Sequence, residues 1–392
     1  MSVVGIVAEF NPLHKGHEYL INLAKKQGTV VVCISGNFVQ RGETAIAEKR
    51  IRAKAALKAG ADIVLELPVM WSMSTAQNFA LGGISALKAA GCDKIMFGCE
   101  CGDAKTLIDT AEILQTPRFS EELSKELEKG ITFAKARQNA AERAGVEKDI
   151  LAGANNNLAI EYILAAKSLD YSLEFCAVKR VGAQHDSFEE DEFVSASLLR
   201  AHLKENDYDF CKKYISEDIL SLFSCENISD VSRLERAILS VLRVKNPADF
   251  SILPDISEGV ENKLITAIKT AKGIDDLFDK IKVKRYTLAR IRRLVLSAFI
   301  GIDNSFFMKP LPYVRVLGFN KKGEAQLKKA TANASIPIIT RVSQVKDLDT
   351  SSQKVFETEC RATDLFLLSL SIPGGTGLEY TSKLIKVENF ND

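Results

Sequence analysis

Apolar runs and amphipathic segments alternate along the first hundred residues. Short, continuously apolar runs bounded by turn residues predict buried strands, whereas apolar residues recurring at helical spacing predict amphipathic helices. The predicted strands there are residues 3–8, 29–35, 62–67 and 94–98, and a further strand at residues 173–178 would complete the sheet. The predicted helices are residues 17–27, 45–59 and 75–90. Buried strands separated by helices form a parallel sheet covered on both faces, and right-handed crossovers make it doubly wound. The predicted fold class is therefore α/β.

The pattern changes after this sheet region. Residues 105–150 read as an inserted helical segment, and residues 196–300 read as mostly helical. Residues 312–392 return to short apolar runs around one helix near residues 353–370. We therefore predict a doubly wound parallel-sheet domain over residues 1–200, a mostly helical region over residues 201–310, and a small α/β C-terminal region over residues 311–392.

Charge and composition narrow the classes of function. The chain has 52 Lys and Arg against 51 Asp and Glu, a net charge of +1, so a nucleic acid would have to be bound by a local basic patch. No apolar run approaches the ~18 residues of a membrane span, which predicts a protein without membrane contact. The eight cysteines form no CxxC pair and have no histidines at zinc spacing, so we predict reduced thiols, a cytoplasmic location and no zinc site.

An HxGH sequence, formed by His14, Gly16 and His17, follows the first predicted strand. This pattern is too rare to be expected by chance in a chain with four histidines. A helix N-terminus offers free N–H groups and a positive dipole end to phosphate, and two imidazoles there can donate hydrogen bonds as charge builds at an α-phosphate. We predict that His14 and His17 are catalytic and that Gly16 leaves room for a nucleotide. The alternative is that the histidines only cap the helix.

Further candidates lie at the carboxyl ends of the predicted strands, where doubly wound sheets bind their ligands. Glu9 and Asn11 follow the first strand and suit either nucleotide binding or turn and cap roles. Arg41, in a loop bracketed by glycines, suits either phosphate or acetate, or a structural role. Arg180 follows the fifth strand and is well placed for a triphosphate, although a surface arginine is common there.

The HxGH turn resembles that of the nucleotidylyltransferase superfamily, and longer segments resemble the tRNA(Met) cytidine acetate ligase family. These segments extend from residue 5 to about residue 320. They are Gly5 to His17 (GIVAEFNPLHKGH), Ser35 to Glu43 (SGNFVQRGE), Gly60 to Pro68 (GADIVLELP), Asn155 to Tyr162 (NNNLAIEY), Lys179-Arg180 and Tyr313 to Phe319 (YVRVLGF).

The resemblance implies a nucleotidylyltransferase-like domain and a bacterial ligase that makes acetyl-adenylate and pyrophosphate from acetate and ATP. It further implies transfer of the acetyl group to N4 of the wobble cytidine of elongator tRNA(Met), giving N4-acetylcytidine. Acetate and this tRNA are the expected partners, Mg²⁺ is expected on the ATP phosphates, and no protein partner is evident. We predict no metal ligands in the protein, and the acid-rich residues 186–192 are predicted to form a solvated loop.

The resemblance also implies which residues bind ATP. Gly102 would let the backbone approach the adenosine, and Asn155 would contact the adenine or ribose; a turn glycine and a helix cap are the alternatives. Ser195, Ser197 and Arg200 resemble the second superfamily motif, which holds the β- and γ-phosphates, although Ser195 could simply be an N-cap. The complete predicted ATP set is Val7, Ala8, Glu9, Phe10, Asn11, Pro12, Leu13, His14, Lys15, Gly16, His17, Glu18, Tyr19, Leu20, Gly102, Asn155, Arg180, Ser195, Ser197 and Arg200.

A basic segment at residues 282–293 is the best candidate for RNA binding. As a helix, it places Arg290 and Arg293 away from its apolar stripe, which predicts an exposed basic face, and a merely solvated face is the alternative. The predicted RNA-binding residues are Lys282, Lys284, Arg285, Arg290 and Arg293.

Two other functions compete with the ligase. The first is a small-molecule adenylyl- or cytidylyltransferase, which the long region after residue 200 and the basic segment disfavour. The second is a non-catalytic tRNA-binding protein with a relict nucleotide fold, which the intact HxGH residues disfavour.

Overall fold

A computed structural model describes residues 2–180, 194–256, 259–282 and 286–387. The strands are β1 (Ser2–Ala8), β2 (Gly28–Ser35), β3 (Phe38–Val39), β4 (Glu43–Thr44), β5 (Ile63–Leu67), β6 (Lys94–Cys99), β7 (Glu174–Lys179), β8 (Val314–Asn320), β9 (Ile338–Ile339) and β10 (Ile385–Val387). The helices before residue 220 are α1 (Lys15–Lys25), α2 (Lys49–Lys58), α3 (Val69–Ser72), α4 (Ala76–Ala89), α5 (Ala104–Ile113), α6 (Pro117–Leu127), α7 (Phe133–Ala144), α8 (Ala154–Ser168), α9 (Ala196–Lys204), α10 (Tyr208–Cys211) and α11 (Glu217–Leu220). The later helices are α12 (Glu235–Val244), α13 (Ala248–Ser251), α14 (Val260–Thr270), α15 (Ile274–Ile281), α16 (Leu288–Ile300), α17 (Lys321–Asn333), α18 (Thr350–Leu367) and α19 (Leu378–Thr381).

The main sheet has the strand order β10-β8-β5-β2-β1-β6-β7, and β9 pairs with β8. The strands from β5 to β7 in this order are parallel, as predicted, whereas β8 runs antiparallel to β5. The sheet is therefore mixed, and the carboxyl ends of β1, β2, β5, β6 and β7 meet at one rim. Apolar patterns identify strands but do not identify partners, so the antiparallel edge was not predictable from them.

Successive residues of the central strands supply two separate hydrophobic cores. Val4 and Ile6 of β1 face one core with α1, α2 and α9, while Val3 faces the other core with α4, α5, α8 and α17. This alternation follows from the two-residue period of a strand. Helices α12 and α14 to α16, and α18, pack into the second core.

The described part of the chain contains no helix that is both long and apolar enough to cross a membrane.

The structure confirms the α/β fold class and each predicted strand of the N-terminal sheet. The predicted helix at residues 45–59 begins only at Lys49, because the N–H groups of Ala45 and Ile46 bond to Asn37 and Asn11 instead. The C-terminal strands also form, but β8 and β10 extend the main sheet, and α17 and α19 accompany the predicted helix. The division into three regions stays a prediction.

Candidate active site

One buried arginine stabilises the turn from β1 into α1 by hydrogen bonds. Arg52, which is fully buried, donates hydrogen bonds to the carbonyl oxygens of Glu9 (2.7 Å), Ala47 (2.9 Å) and Gly36. Phe10 adopts a left-handed backbone conformation (φ 46°), which is uncommon for a residue with a side chain. These contacts join the turn to the loop after β2 and fix the position from which α1 begins.

His14 and His17 cap the first turn of α1 reciprocally. The Nδ1 atom of His14 accepts a hydrogen bond from the backbone N–H of Gly16 (3.1 Å), and Nδ1 of His17 accepts one from the N–H of His14 (3.4 Å). The two ring centroids are 3.9 Å apart. A neutral imidazole that accepts at Nδ1 carries its proton on Nε2. The cap therefore turns both rings into Nε2–H donors, so the capping role and the proposed phosphate-binding role are compatible.

Both imidazoles are held in the neutral form. Burial and the Arg180 guanidinium lower the pKa of His14 to about 4. Burial, together with His14 and Arg180, holds the pKa of His17 well below its ordinary value of 6.5. At neutral pH the pair thus donates hydrogen bonds without carrying a charge.

The two rings line a cavity of about 480 Å³ beyond the carboxyl ends of β1, β6 and β7. This volume is in the range of small-molecule sites. The predicted ATP-binding residues on its wall are Val7, Ala8, Glu9, Phe10, Asn11, His14, Gly16, His17, Tyr19, Leu20, Asn155, Arg180, Ser195, Ser197 and Arg200. Residues separated by up to 193 positions are therefore brought to a single site.

Polar and cationic groups cluster at the end of the cavity formed by α1 and α9. Arg200 donates hydrogen bonds to the carbonyl oxygen of Asn11 (3.0 Å) and to Oγ of Ser197 (3.1 Å). Ser195 is the N-cap of α9, because its Oγ accepts from the N–H of Leu198 (3.3 Å). The N-termini of α1 and α9 and the Arg200 side chain thus converge on a region suited to phosphate oxygens.

Asn155 lies at the N-terminus of α8, where the N-cap residue, Gly153, makes no side-chain hydrogen bond and the Glu100 carboxylate accepts the first N–H groups instead. Glu100 accepts hydrogen bonds from the N–H and side-chain amide of Asn155 (3.1 and 2.7 Å) and from the N–H of Asn156 (2.7 Å). Burial raises the pKa of Glu100, but these hydrogen bonds outweigh burial and lower it overall. Glu100 thereby fixes the orientation of the Asn155 side chain at the cavity wall.

Five predicted ATP-binding residues do not reach the wall of this cavity; they are Pro12, Leu13, Lys15, Glu18 and Gly102. Leu13 is fully buried in the core. Lys15 donates to the carbonyl oxygen of Lys213, and Glu18 accepts from the Ser216 hydroxyl. Gly102 has a positive φ of 73°, and a Cβ there would lie 2.7 Å from the Cβ of Lys179. Their assignment to ATP binding rests on the resemblance alone.

The opposite end of the cavity is apolar, and sequence reasoning missed it. Phe79 of α4, Phe97 of β6, and Leu158 and Tyr162 of α8 line this end. Asn155, Leu158 and Tyr162 are spaced three and four residues apart and so share one face of α8. This spacing could have indicated Leu158 and Tyr162 as further residues of the site, because Asn155 on the same helix face was already a candidate.

A buried ionic cluster lies beneath the loop that carries Gln40 and Arg41, two further residues of the cavity wall. Lys49 forms ion pairs with Glu66, with Glu359 (2.8 Å) and with Glu379 (2.6 Å). The three carboxylates are close enough together to hold a metal ion, but the Lys49 ammonium group already lies among them.

Burial disfavours the Lys49 cation, but the three carboxylates outweigh burial and raise its pKa. Asn37 accepts a hydrogen bond from the N–H of Lys49 and donates one to Thr363, which donates to Glu379. The cluster therefore fixes the cavity loop to α18 and α19.

The predicted RNA-binding residues are less exposed than their pattern suggested. Arg290 and Arg293 are half-buried and form ion pairs with Asp255 (3.2 and 3.6 Å), and Arg293 also donates to the carbonyl oxygen of Gln40. The expected open face is thus wrong for these two side chains, because α16 packs against the hairpin of β3 and β4 and against the segment containing Asp255. Lys282 is exposed. Lys284 and Arg285, as well as residues 186–192, lie outside the described residues.

Comparisons with known proteins agree with this geometry. The family described as HIGH Nucleotidyl Transferase matches residues 1–374. The tRNA(Met) cytidine acetate ligase of Thermoanaerobacter sp. (strain X514) is 38% identical, over 99% of this chain and 100% of that protein. The protein of the same name from Clostridium perfringens is 33% identical, over 93% of this chain and 95% of that protein. Crystal structures of Thermotoga maritima TmcAL, one apo and one bound with alpha-thio ATP, share 29% identity and a TM-score of 0.92, covering 99% of this chain and 100% of theirs.

Proposed function

Because this chain belongs to the HIGH nucleotidyl transferases and, among them, to the tRNA(Met) cytidine acetate ligases, we propose that it is an ATP-dependent acetate ligase acting on tRNA. The reaction forms acetyl-adenylate from acetate and ATP. It then transfers the acetyl group to N4 of the wobble cytidine of elongator tRNA(Met). The observation that supports this proposal most directly is the pair of imidazoles whose Nδ1 atoms accept backbone hydrogen bonds, which leaves both Nε2 atoms to donate, on the wall of a cavity of small-molecule size.

Two chemical obstacles explain the need for the adenylate. Acetate is a poor electrophile, and the cytosine amine is a weak nucleophile because its lone pair is delocalised into the ring. When a carboxylate oxygen of acetate attacks the α-phosphorus, the bond to the bridging β-phosphate oxygen breaks and pyrophosphate departs with its electrons. N4 then attacks the acetyl carbonyl, AMP leaves, and N4 loses a proton.

The protein contributes orientation and electrostatic stabilisation to the first step. The Nε2–H groups of His14 and His17 donate to phosphate oxygens on which charge increases in the transition state. Arg200, already fixed by Asn11 and Ser197, holds the terminal phosphates beside the N-terminus of α9. These donors are positioned by the fold before ATP binds, so little reorganisation is required during the reaction.

A magnesium ion would be held mainly by the phosphates of ATP and by water. Mg²⁺ prefers oxygen ligands and usually uses only one or two protein carboxylates. Glu9 is a carboxylate on the described cavity wall, and one of its oxygens accepts the Gln40 N–H (2.9 Å). Because that oxygen is already engaged, we assign no protein group as a ligand of the ion. A cytoplasmic location follows from the proposed tRNA substrate.

One experiment tests this function directly. The protein is incubated with ATP, labelled acetate and elongator tRNA(Met), and the tRNA is digested and analysed for labelled N4-acetylcytidine. Omission of ATP is the matched control. Label in acetylcytidine that depends on ATP supports the ligase, whereas AMP retained in a small product identifies a nucleotidylyltransferase. Absence of pyrophosphate release under all conditions contradicts both activities.

A further inference from the structure

Tyr162 carries a buried hydroxyl group whose hydrogen bonding is incomplete. The residue is only 2% exposed, and among the described residues its hydroxyl has no hydrogen-bond partner. Most buried hydroxyls in proteins are paired, and an unpaired one lowers stability. A tyrosine is nevertheless placed here, on the wall of the cavity that contains His14 and His17. This combination suggests that a ligand supplies the missing acceptor.

The surroundings of the hydroxyl restrict what that ligand can be. Phe79, Phe97 and Leu158 form the rest of this apolar end, and the rings of Phe97 and Tyr162 are 6.2 Å apart. Apart from the Tyr162 hydroxyl, the side chains that line this end are apolar, which suits a short alkyl group that carries a single polar end.

The Tyr162 hydroxyl is suited to donate rather than accept. Burial, with smaller contributions from Cys33 and Glu9, raises the pKa of Tyr162 far above neutral pH, so the group keeps its proton. A neutral donor in an apolar setting forms its strongest hydrogen bonds with an anionic oxygen. A carboxylate oxygen meets this requirement.

We propose that the apolar end of the cavity is the subsite for the acid substrate, where Tyr162 donates a hydrogen bond to its carboxylate and Phe79, Phe97 and Leu158 surround its short alkyl group. This inference rests on the proposed function. The triphosphate is expected at the opposite end, beside His14 and Arg200.

The nucleobase is a less suitable occupant of this end. Asn155, the residue implied to contact adenine or ribose, lies seven positions before Tyr162 on α8, or about 10 Å along the helix axis at 1.5 Å per residue. Asn155 is at the N-terminus of α8, which lies at the rim where the strands end, whereas Tyr162 lies two turns deeper. A small acid reaches that depth more readily than a purine does.

Acetate-dependent exchange of labelled pyrophosphate into ATP tests this subsite, because the exchange reports only the first half of the reaction. We expect Tyr162→Phe to raise the KM for acetate about 10- to 100-fold, the loss associated with one hydrogen bond to a charged group, while the KM for ATP stays unchanged. The melting temperature should not fall, because the removed hydroxyl has no hydrogen-bond partner in the part of the chain that the structure describes.

Tyr171→Phe is the matched control. The Tyr171 hydroxyl donates to the carbonyl oxygen of Cys92, and Tyr171 is absent from the cavity wall. Its loss should lower the melting temperature and leave both KM values unchanged.

The possible results separate the two proposals. A wild-type protein without acetate-dependent exchange contradicts the proposed function itself. If the wild type is active, a Tyr162→Phe variant with an unchanged KM for acetate overturns the subsite. A raised KM for ATP alone would instead assign Tyr162 to the nucleotide, and a lowered melting temperature with normal kinetics would make Tyr162 structural; both results also overturn the subsite.

Discussion

Replacing His14 with asparagine separates its two roles, because asparagine can perform only one of them. As the N-cap of α1, His14 accepts the Gly16 N–H at Nδ1, and asparagine is among the best N-cap residues. The shorter asparagine side chain cannot place a donor where Nε2 lies. His14→Asn should therefore preserve the cap and remove the donor, whereas His14→Ala removes both.

The expected magnitudes follow from these contacts. Loss of the cap in His14→Ala should lower the free energy of unfolding by about 1 kcal/mol, and His14→Asn should remain within a few tenths of a kcal/mol of the wild type. Loss of one preorganised donor to a developing negative charge typically lowers kcat by about 10²- to 10³-fold. Both variants should show that loss in acetate-dependent pyrophosphate exchange.

Denaturant unfolding and pyrophosphate exchange, measured on the same preparations, check the two roles. If His14→Asn exchanges pyrophosphate within a few-fold of the wild-type rate, His14 is a helix cap and the transition-state role assigned to it is refuted. If His14→Asn instead unfolds as readily as His14→Ala, the hydrogen bond from the Gly16 N–H to His14 does not stabilise α1.

Three other measurements follow from the structure. The pKa of His14 is about 4 in the folded chain and near 6.5 in the unfolded chain, so the unfolded chain takes up the proton first as the pH falls. Stability should therefore decline from about pH 6.5 towards pH 4, with up to about 1.4 kcal/mol per pH unit from this residue. In pH-dependent denaturation, His14→Asn should lack this contribution to the decline. Lys49→Met leaves the buried Glu359 carboxylate without its cation, whereas Glu66 and Glu379 keep their ion pairs with Arg315. The substitution should lower the free energy of unfolding by about 3–5 kcal/mol in chemical denaturation. Lys105→Met, which removes an exposed pair with Asp109, should leave the unfolding curve nearly unchanged, and equal effects of the two substitutions would contradict the importance of burial. Lys282→Glu should weaken tRNA binding several-fold and reduce its salt dependence, measured by filter binding, without changing pyrophosphate exchange, and unchanged affinity would place the RNA elsewhere.

The sequence was most informative where structure depends on local pattern. Continuous apolar runs located the strands of the N-terminal sheet, and the HxGH spacing located the two histidines at the turn between β1 and α1. Both signals are confined to a few neighbouring residues. The reciprocal cap itself also depends on residues only two or three positions apart.

Features that depend on distant partners were not predictable in the same way. The periodicity of α16 placed Arg290 and Arg293 away from its apolar stripe, but it could not show that Asp255 would pair with both. Lys49 and Glu359 are 310 positions apart, and no pattern around either residue indicates the other. The apolar end of the cavity likewise combines α4, β6 and α8, and a contact among three elements leaves no periodic trace.

The pairing of the C-terminal strand β8 with β5 has a practical consequence for the design of shorter versions of the enzyme. A fragment ending near residue 200 would retain the imidazole pair, but it would expose the hydrogen-bonding edge of β5 that β8 covers in the whole chain. It would also leave the Lys49 ammonium with Glu66 but without Glu359 and Glu379. Minimal catalytic versions of this protein should therefore be sought by shortening internal segments such as residues 105–150, with the C-terminal strands left in place.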